Sequence, residues 1–369
     1  MTENKQKVLI IGLGAVGVVS AYIAQASGKA DVTVVARSNY DLVKERGIDI
    51  KSELLGNHDG WRPDRICKTV EEAAATDVPY AYVLVVTKCL PDVLPTSTLL
   101  APLFKLAVQP TYVLVQNGLG IEVELYSTIL KELGKPPDII SVAMFIVANQ
   151  LSPNAFQSGS YARYVYGVYR PNDFTTVQNT PHEQRLLDDL EAIISAGGGT
   201  AEPVPEIQRR KFSKNVVNVT LAALQLFVRQ PLTTVFRPPP SEGESYAPYY
   251  HPATHNLLEE HTVPLIRQIG EELVLLARAL GFPDSKDGIL ASAPDDLVQL
   301  ARDTYTPPSS FHIASTLVDL LKGQPMEIEV IWGSVVRLAK ERGVQMPRVE
   351  MVYAIVLILQ NQIMATRAM

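Results

Sequence analysis

Cysteine is nearly absent from this chain. Cys67 and Cys89 are the only two in 369 residues. Two thiols cannot build a disulfide framework, so a small stapled scaffold is excluded and a reducing, cytoplasmic setting is expected. Cys89 directly follows an apolar run, where packing is the expected role rather than nucleophilic attack. An excess of basic residues is also lacking. Lys and Arg total 33 against 39 Asp and Glu, a net charge of −6. No basic stripe is available to track phosphates, so a nucleic-acid partner is not expected. Long apolar runs are missing too. Val352–Leu359 falls far short of the ~20 residues a membrane span needs, which predicts a buried helix and no membrane partner. The first residues, Met-Thr-Glu-Asn-Lys-Gln-Lys, are polar and do not read as a signal peptide. No HExxH motif occurs. His251, His255 and His261, with Glu259-Glu260 nearby, have only partly helical spacing, and no metal site is expected.

What is present begins with a hydrophobic content of 47% and a charged content of 20%, ordinary for a globular protein. The length suits two domains. Apolar runs at 8–11, 32–36, 82–86 and 112–115 read as strands of a parallel sheet covered on both faces. Helices are expected at 15–27, 69–75 and 96–107. Further strands are expected at 139–147, 161–169 and 200–204, with an amphipathic helix at 183–196. From Pro205 strand signals nearly vanish. Segments 206–229, 254–281, 294–303, 310–322, 325–343 and 347–366 read as helices, with Gly281 and Gly343 placed as C-caps. Pro264 marks a helix start or kink. Arg237–Pro252, with Pro238-Pro-Pro240 and three Tyr, reads as a loop or insertion. The fold class is therefore an α/β Rossmann-type N-terminal domain over 1–205, followed by an all-α domain over 206–369. A cleft between them is the expected meeting place of substrate and cofactor.

The sharpest motif is Gly12-Leu-Gly14-Ala15-Val16-Gly17, directly after the apolar run Val8–Ile11. Gly12 permits a tight turn, Gly14 lets the backbone approach a pyrophosphate, and Gly17 lets the next helix pack close. An NAD site carries an acid at the end of the second strand. Here that position holds Arg37, with Asp31 at the wrong end. A guanidinium can pair with a 2′-phosphate, so NADP(H) is the expected cofactor. Lys88 and Gln116-Asn117-Gly118 follow successive strand ends, where ligands bind in such sheets. In the second half, Lys214 and Asn218 lie four apart on one helix face. Glu327, two residues past Pro325, is expected in the first turn of a helix, where the dipole suits a carboxylate. Capping explains Glu327 equally well, and capping or packing explains Ser315.

Taken in order, these pieces resemble the ketopantoate reductase (2-dehydropantoate 2-reductase) family over nearly the whole length. The matching residues are the glycine turn, Arg37, Val-Thr-Lys88, Gln-Asn117-Gly, Phe212-Ser-Lys214 with Asn218, and Ser315, Asp319, Glu327-Ile-Glu329 and Gly333. The resemblance implies NADPH-dependent reduction of a 2-keto acid, most directly ketopantoate to pantoate in pantothenate biosynthesis. It implies catalytic roles for Lys214 and Glu327. Gly12, Gly14, Ala15, Val16, Gly17, Arg37, Lys88 and Asn117 would bind cofactor. Asn218, Ser315 and Asn117 would bind substrate, and a homodimer is compatible. Lys211, with Asn215 four later, is the competing lysine; the aromatic Phe212 favours Lys214. Two departures touch the substrate side. Ala222 stands where the family has a second Asn, and segment 237–252 is longer than a compact member needs. The alternatives are a related NADP-dependent dehydrogenase acting on another keto or hydroxy acid, and a non-catalytic NADP(H) sensor.

Overall fold

The computed structural model describes residues 5–76 and 78–368. The chain divides into two compact units, Met1–Gln208 and Arg209–Met369, a junction three residues beyond the boundary read from the sequence.

The first unit is built on a ten-stranded mixed sheet: β1 Gln6–Ile11, β2 Ala30–Val35, β3 Ile48–Ser52, β4 Gly56–Trp61, β5 Arg65–Cys67, β6 Tyr82–Val85, β7 Thr111–Leu114, β8 Ile139–Ser152, β9 Ala155–Val168 and β10 Thr200–Pro203. Their order is β4-β3-β9-β8-β7-β6-β1-β2-β5, with β10 also on β9. From β5 through β8 the strands are parallel. The uniformly apolar sequences of β1, β6 and β7 reflect burial; β6 and β7 are buried at every position. From β1 the chain passes to β2, forms β3 and β4 beside β9, comes back to pair β5 with β2, then crosses to the other side of β1 as β6. Such a reversal of strand order is where ligands bind in open α/β sheets.

Three parts of this sheet are absent from the sequence reading, and the short β5 is one of them. Strands β3 and β4 form a hairpin, and β3 runs parallel to β9 at the far edge. The β3 residues, IDIKS, alternate with Ile48 and Ile50 buried, but over only five residues, while GNHDGW of β4 shows no apolar period. The pair β8–β9 is also much longer than expected. It continues past the core as a partly exposed ribbon with two register irregularities.

The second unit is helical among its described residues. Its main helices are Val263–Ala279, Ala293–Tyr305, Ser315–Leu321, Ser334–Glu341 and Pro347–Ala368, while Ile207–Val217 begins at the junction. Pro264 does not start a helix: it lies just past the π-helical turn Leu258–Thr262, within a helical run that begins at His255. Gly281 and Gly343 follow helix ends at φ of 84° and 67°, where a Cβ would be strained.

Three helices contain a π-helical turn: Asn218–Ala222, Leu258–Thr262 and Glu329–Gly333. The expected continuous helix over 206–229 is therefore three segments. The final helix spans 22 residues, longer than its apolar run suggested. By length and apolarity its stretch Pro347–Arg367 could cross a membrane. Val349, Val352, Val356, Gln360 and Ile363 are buried along one face, as in a helix packed on its own domain. Met351 and Ile358 are exposed, so the prediction of a buried helix holds for one face only.

Candidate functional site

In the first unit, the ends of three parallel strands are tied together. Gly12, at φ 108°, follows β1; a Cβ there would lie 2.9 Å from Thr87 Cγ2. Thr87 belongs to the loop after β6 and precedes Lys88. The buried Gln116, just past β7, donates from Nε2 to the Thr87 carbonyl at 3.0 Å. Asn39, past β2, donates to the carbonyl of Leu13 at 2.9 Å, which ties in a fourth strand end. The sequence singled out Asn117, but Gln116 fixes the loop that presents it.

Each glycine of the turn has a different reason to be glycine. A Cβ on Gly17 would fall 2.0 Å from the Gly12 carbonyl oxygen. That is the close packing the motif predicts. A Cβ on Gly14 would meet nothing within 4 Å. Gly14 is exposed and precedes the helix Ala15–Ala26, whose first turn carries no acid and whose N-cap makes no side-chain hydrogen bond. Open space over an uncapped helix N-terminus of this length suits an anionic group. Ala15 and Val16 provide the first two amides of that helix. Arg37 is exposed just beyond β2, Lys88 is exposed beyond β6, and Asn117 is half-buried. These residues fit a dinucleotide with its pyrophosphate over Gly14.

In the second unit the structure brings Lys214, Lys211 and Glu327 into one electrostatic group. Lys214 is half-buried near the end of the helix Ile207–Val217. Its pKa is lowered to about 8, chiefly by loss of solvation and further by the Lys211 charge; the Glu327 carboxylate opposes both. Lys211 is 3% exposed and Glu327 4% exposed. A lysine that titrates near neutrality and remains reachable can donate a proton and be recharged; one as enclosed as Lys211 is less suited.

The surroundings are fixed by bonds between π-helical turns. Asn215 Nδ2 donates to the Ile331 carbonyl at 2.9 Å, and Trp332 Nε1 donates to the Val219 carbonyl at 3.0 Å. The two turns following Lys214 and Glu327 are thereby stitched to each other. Asn218 is half-buried at the start of the first turn, and Ala222, at its end, is buried. Such turns recur at functional sites because they displace side chains from regular helical spacing. Nothing in the residue pattern signals them.

Glu327 is not in the first turn of a helix as expected. It immediately precedes the helical run that begins at Ile328. Its carbonyl accepts from the Ile331 amide at 3.1 Å. The preceding residue, Met326, is held at both backbone groups by Gln360 of the final helix. Gln360 is a positioning residue that the sequence reading missed. Gln360 stands beside Asn361 and Gln362, so its role was not distinguishable in the sequence. Ser315 begins a separate helix and is exposed, while its neighbour Thr316 is buried.

The histidine segment goes elsewhere. His255 stacks on Tyr250 at 4.1 Å, and Glu259 pairs with Arg302. Among the described residues, no group of three or more His, Cys, Asp or Glu could hold a metal ion. Segment 237–252 is anchored by buried Arg237, which donates to the Ser310 and Pro248 carbonyls and lies 5.4 Å from the Tyr246 ring.

Residues 8–171 match the family model for ketopantoate reductase PanE/ApbA, and residues 250–360 match that for its C-terminal part. An uncharacterized protein of Saccharomyces cerevisiae is 24% identical over 370 residues, covering 97% of this chain and 94% of that one. The crystal structure of 2-dehydropantoate 2-reductase from Methylococcus capsulatus is 24% identical, with a TM-score of 0.72 and 97% of both chains covered. The ternary structure of D-mandelate dehydrogenase with NADH and anilino(oxo)acetate is 16% identical, with a TM-score of 0.71, covering 97% of this chain and 99% of that one.

Proposed function

The chain belongs to the ketopantoate reductase family, and we propose that it is an NADPH-dependent reductase of a 2-keto acid, with 2-dehydropantoate the first candidate substrate. The observation that carries this reading is Lys214, with its pKa lowered to about 8 beside Glu327.

The reduced nicotinamide, when bound, supplies a hydride to the keto carbon. The chain's own residues do the rest. The glycine turn and the amides of Ala15 and Val16 hold pyrophosphate. Arg37 pairs with the 2′-phosphate, which favours NADPH over NADH. Lys88 and Asn117 complete the cofactor and ribose contacts. Protonated Lys214 donates to the alkoxide oxygen as it forms, and its charge stabilises that oxygen before the proton moves. Glu327 keeps Lys214 protonated by opposing the effects of burial and of Lys211. Asn218 and Ser315 are assigned to the substrate hydroxyl and carboxylate. Two buried free cysteines fit a reducing, cytoplasmic setting.

A second reading keeps the chemistry and changes the substrate. Ala222 offers a methyl where the family pattern has an amide. The buried Ala222 supplies no hydrogen-bonding group at that point, which suits a keto acid without a hydroxyl there. NADPH oxidation followed in parallel with ketopantoate, pyruvate-type keto acids and dihydroxyacetone phosphate decides among these. Turnover with a 2-keto acid supports the proposal. Tight NADPH binding with no turnover on any of them would replace it with a sensor.

A further inference from the structure

The helical unit contains a cavity of about 310 Å³ that the proposed chemistry does not use. Its walls include Val216 and Val217 of the lysine-bearing helix, Ile289, and Leu297 of the helix Ala293–Tyr305. Leu290 and Leu300 also line it and are 39% and 43% exposed, so apolar surface reaches solvent. The volume lies at the lower end of the about 300–1,000 Å³ found for small-molecule sites, and an aliphatic lining with few polar groups is their usual character.

The cavity is held open by its own wall. The loop 283–291 is closed by Ile289 N–H donating to the Pro283 carbonyl at 3.1 Å and Gly288 N–H to the Ser285 carbonyl at 3.0 Å. A Cβ on Gly288 would lie 2.1 Å from the Pro283 oxygen. Asp284 accepts from the Ala291 amide at 2.8 Å. Arg210 binds the Lys286 carbonyl at 3.2 Å and approaches Asp287 at 3.6 Å, which fastens the loop to the lysine-bearing helix. A preformed wall need not collapse when empty, so less ordering is required on binding.

The lining also sets the ligand class. Lys286 and Asp296, of opposite sign, both line the cavity and are exposed, and the Arg210 charge is answered by Asp287. No net field selects an ion. Ser213 and Ser285 offer hydroxyls. Ser213, Val216 and Val217 recur at three- and four-residue steps and share a helix face. Lys214 and Asn218 follow Ser213 and Val217 by one residue each and lie about 100° round.

We infer that this cavity is a binding site for a small uncharged apolar molecule, an aliphatic or aromatic body with at most a hydroxyl head, sensed by the helix that carries Lys214. The test uses the full-length protein with 4-fluorobenzyl alcohol, 4-fluorobenzoate and 4-fluorobenzylamine as probes, read by fluorine NMR line broadening. The alcohol is expected to bind the wild type and Ala293→Ser, and to lose binding in Ala293→Phe, which fills the cavity. Bound alcohol is expected to slow backbone hydrogen exchange across residues 213–222. Absence of binding, or equal binding to Ala293→Phe with its circular dichroism unchanged, overturns the site. Tighter binding of either charged probe overturns the ligand class, and unchanged exchange overturns the coupling. A concentration-dependent mass abolished by Leu300→Glu would instead make this face a contact between copies, and would also overturn it. None of these readouts depends on turnover, so they stand apart from the reductase proposal.

Discussion

Gln360 grips both backbone polar groups of Met326, accepting from its amide at 2.9 Å and donating to its carbonyl at 3.2 Å. A residue deep in the last helix thereby sets the backbone next to Glu327. Replacing Gln360 with Leu leaves the Met326 N–H without this partner, at about 1–3 kcal/mol, while the Met326 carbonyl keeps the Ile328 amide at 2.8 Å. Thermal denaturation is expected to show that loss. Gln360→Glu retains the acceptor for the amide but sets a buried carboxylate against the Met326 carbonyl, and is expected to destabilise as well. Equal stability of wild type and Gln360→Leu would show that the contact contributes nothing net.

Lys214→Ala is expected to lower turnover by roughly 10²–10⁴-fold, the usual scale of general acid catalysis. NADPH binding, read by fluorescence titration, is expected to persist. Lys211→Ala is expected to cost less. The opposite ranking would transfer the catalytic role to Lys211.

The same lysine sets a pH limit with a definite sign. A proton donor must be protonated, so turnover is expected to fall as pH rises through about 8. Lys211→Met removes a like charge and moves this limb to higher pH. Glu327→Gln removes the carboxylate that favours the charged form and moves it lower. Movement of both variants in one direction would contradict the electrostatic group.

Stability carries the complementary signature. The folded pKa of Lys214 is lowered from its ordinary 10.5 to about 8, so between these values the unfolded chain holds more proton. Stability then rises with pH across that window, and the full cost of the buried charge remains below about 8. Lys214→Met is expected to melt above the wild type at pH 7, with the gap narrowing from pH 8 toward 10.5. A constant gap would assign the difference to packing alone.

The glycine turn separates folding from binding. Gly17→Ala places a Cβ 2.0 Å from a backbone oxygen and is expected to destabilise the first unit. Gly14→Ala meets nothing within 4 Å and is expected to fold normally while weakening NADPH. Arg37→Asp is expected to reduce the NADPH preference by ~10-fold or more, on the scale of a lost charge-assisted pair. Unchanged cofactor selectivity would remove Arg37 from 2′-phosphate recognition.

Much of the protein was determined by residue order alone. The apolar runs at β1, β2, β6 and β7 must be buried on both faces, and that requirement dictates a covered parallel sheet. Gly12 and Gly17 encode a turn and a helix start because a Cβ at either would clash, while Gly14 leaves open space over that start. Gly281 and Gly343, at positive φ, mark helix ends. Tertiary structure decided what depends on partners distant in the chain. Strand β4 lacks an apolar period, the alternation of β3 spans only five residues, and both exist as pairings in the sheet. The π-helical turns after Lys214 and Glu327 are stitched by Asn215 and Trp332 to carbonyls more than a hundred residues away. The proton affinity of Lys214 belongs to this class as well. It arises from burial and from the Lys211 and Glu327 charges, and an enclosure is a property of the fold that no single segment possesses.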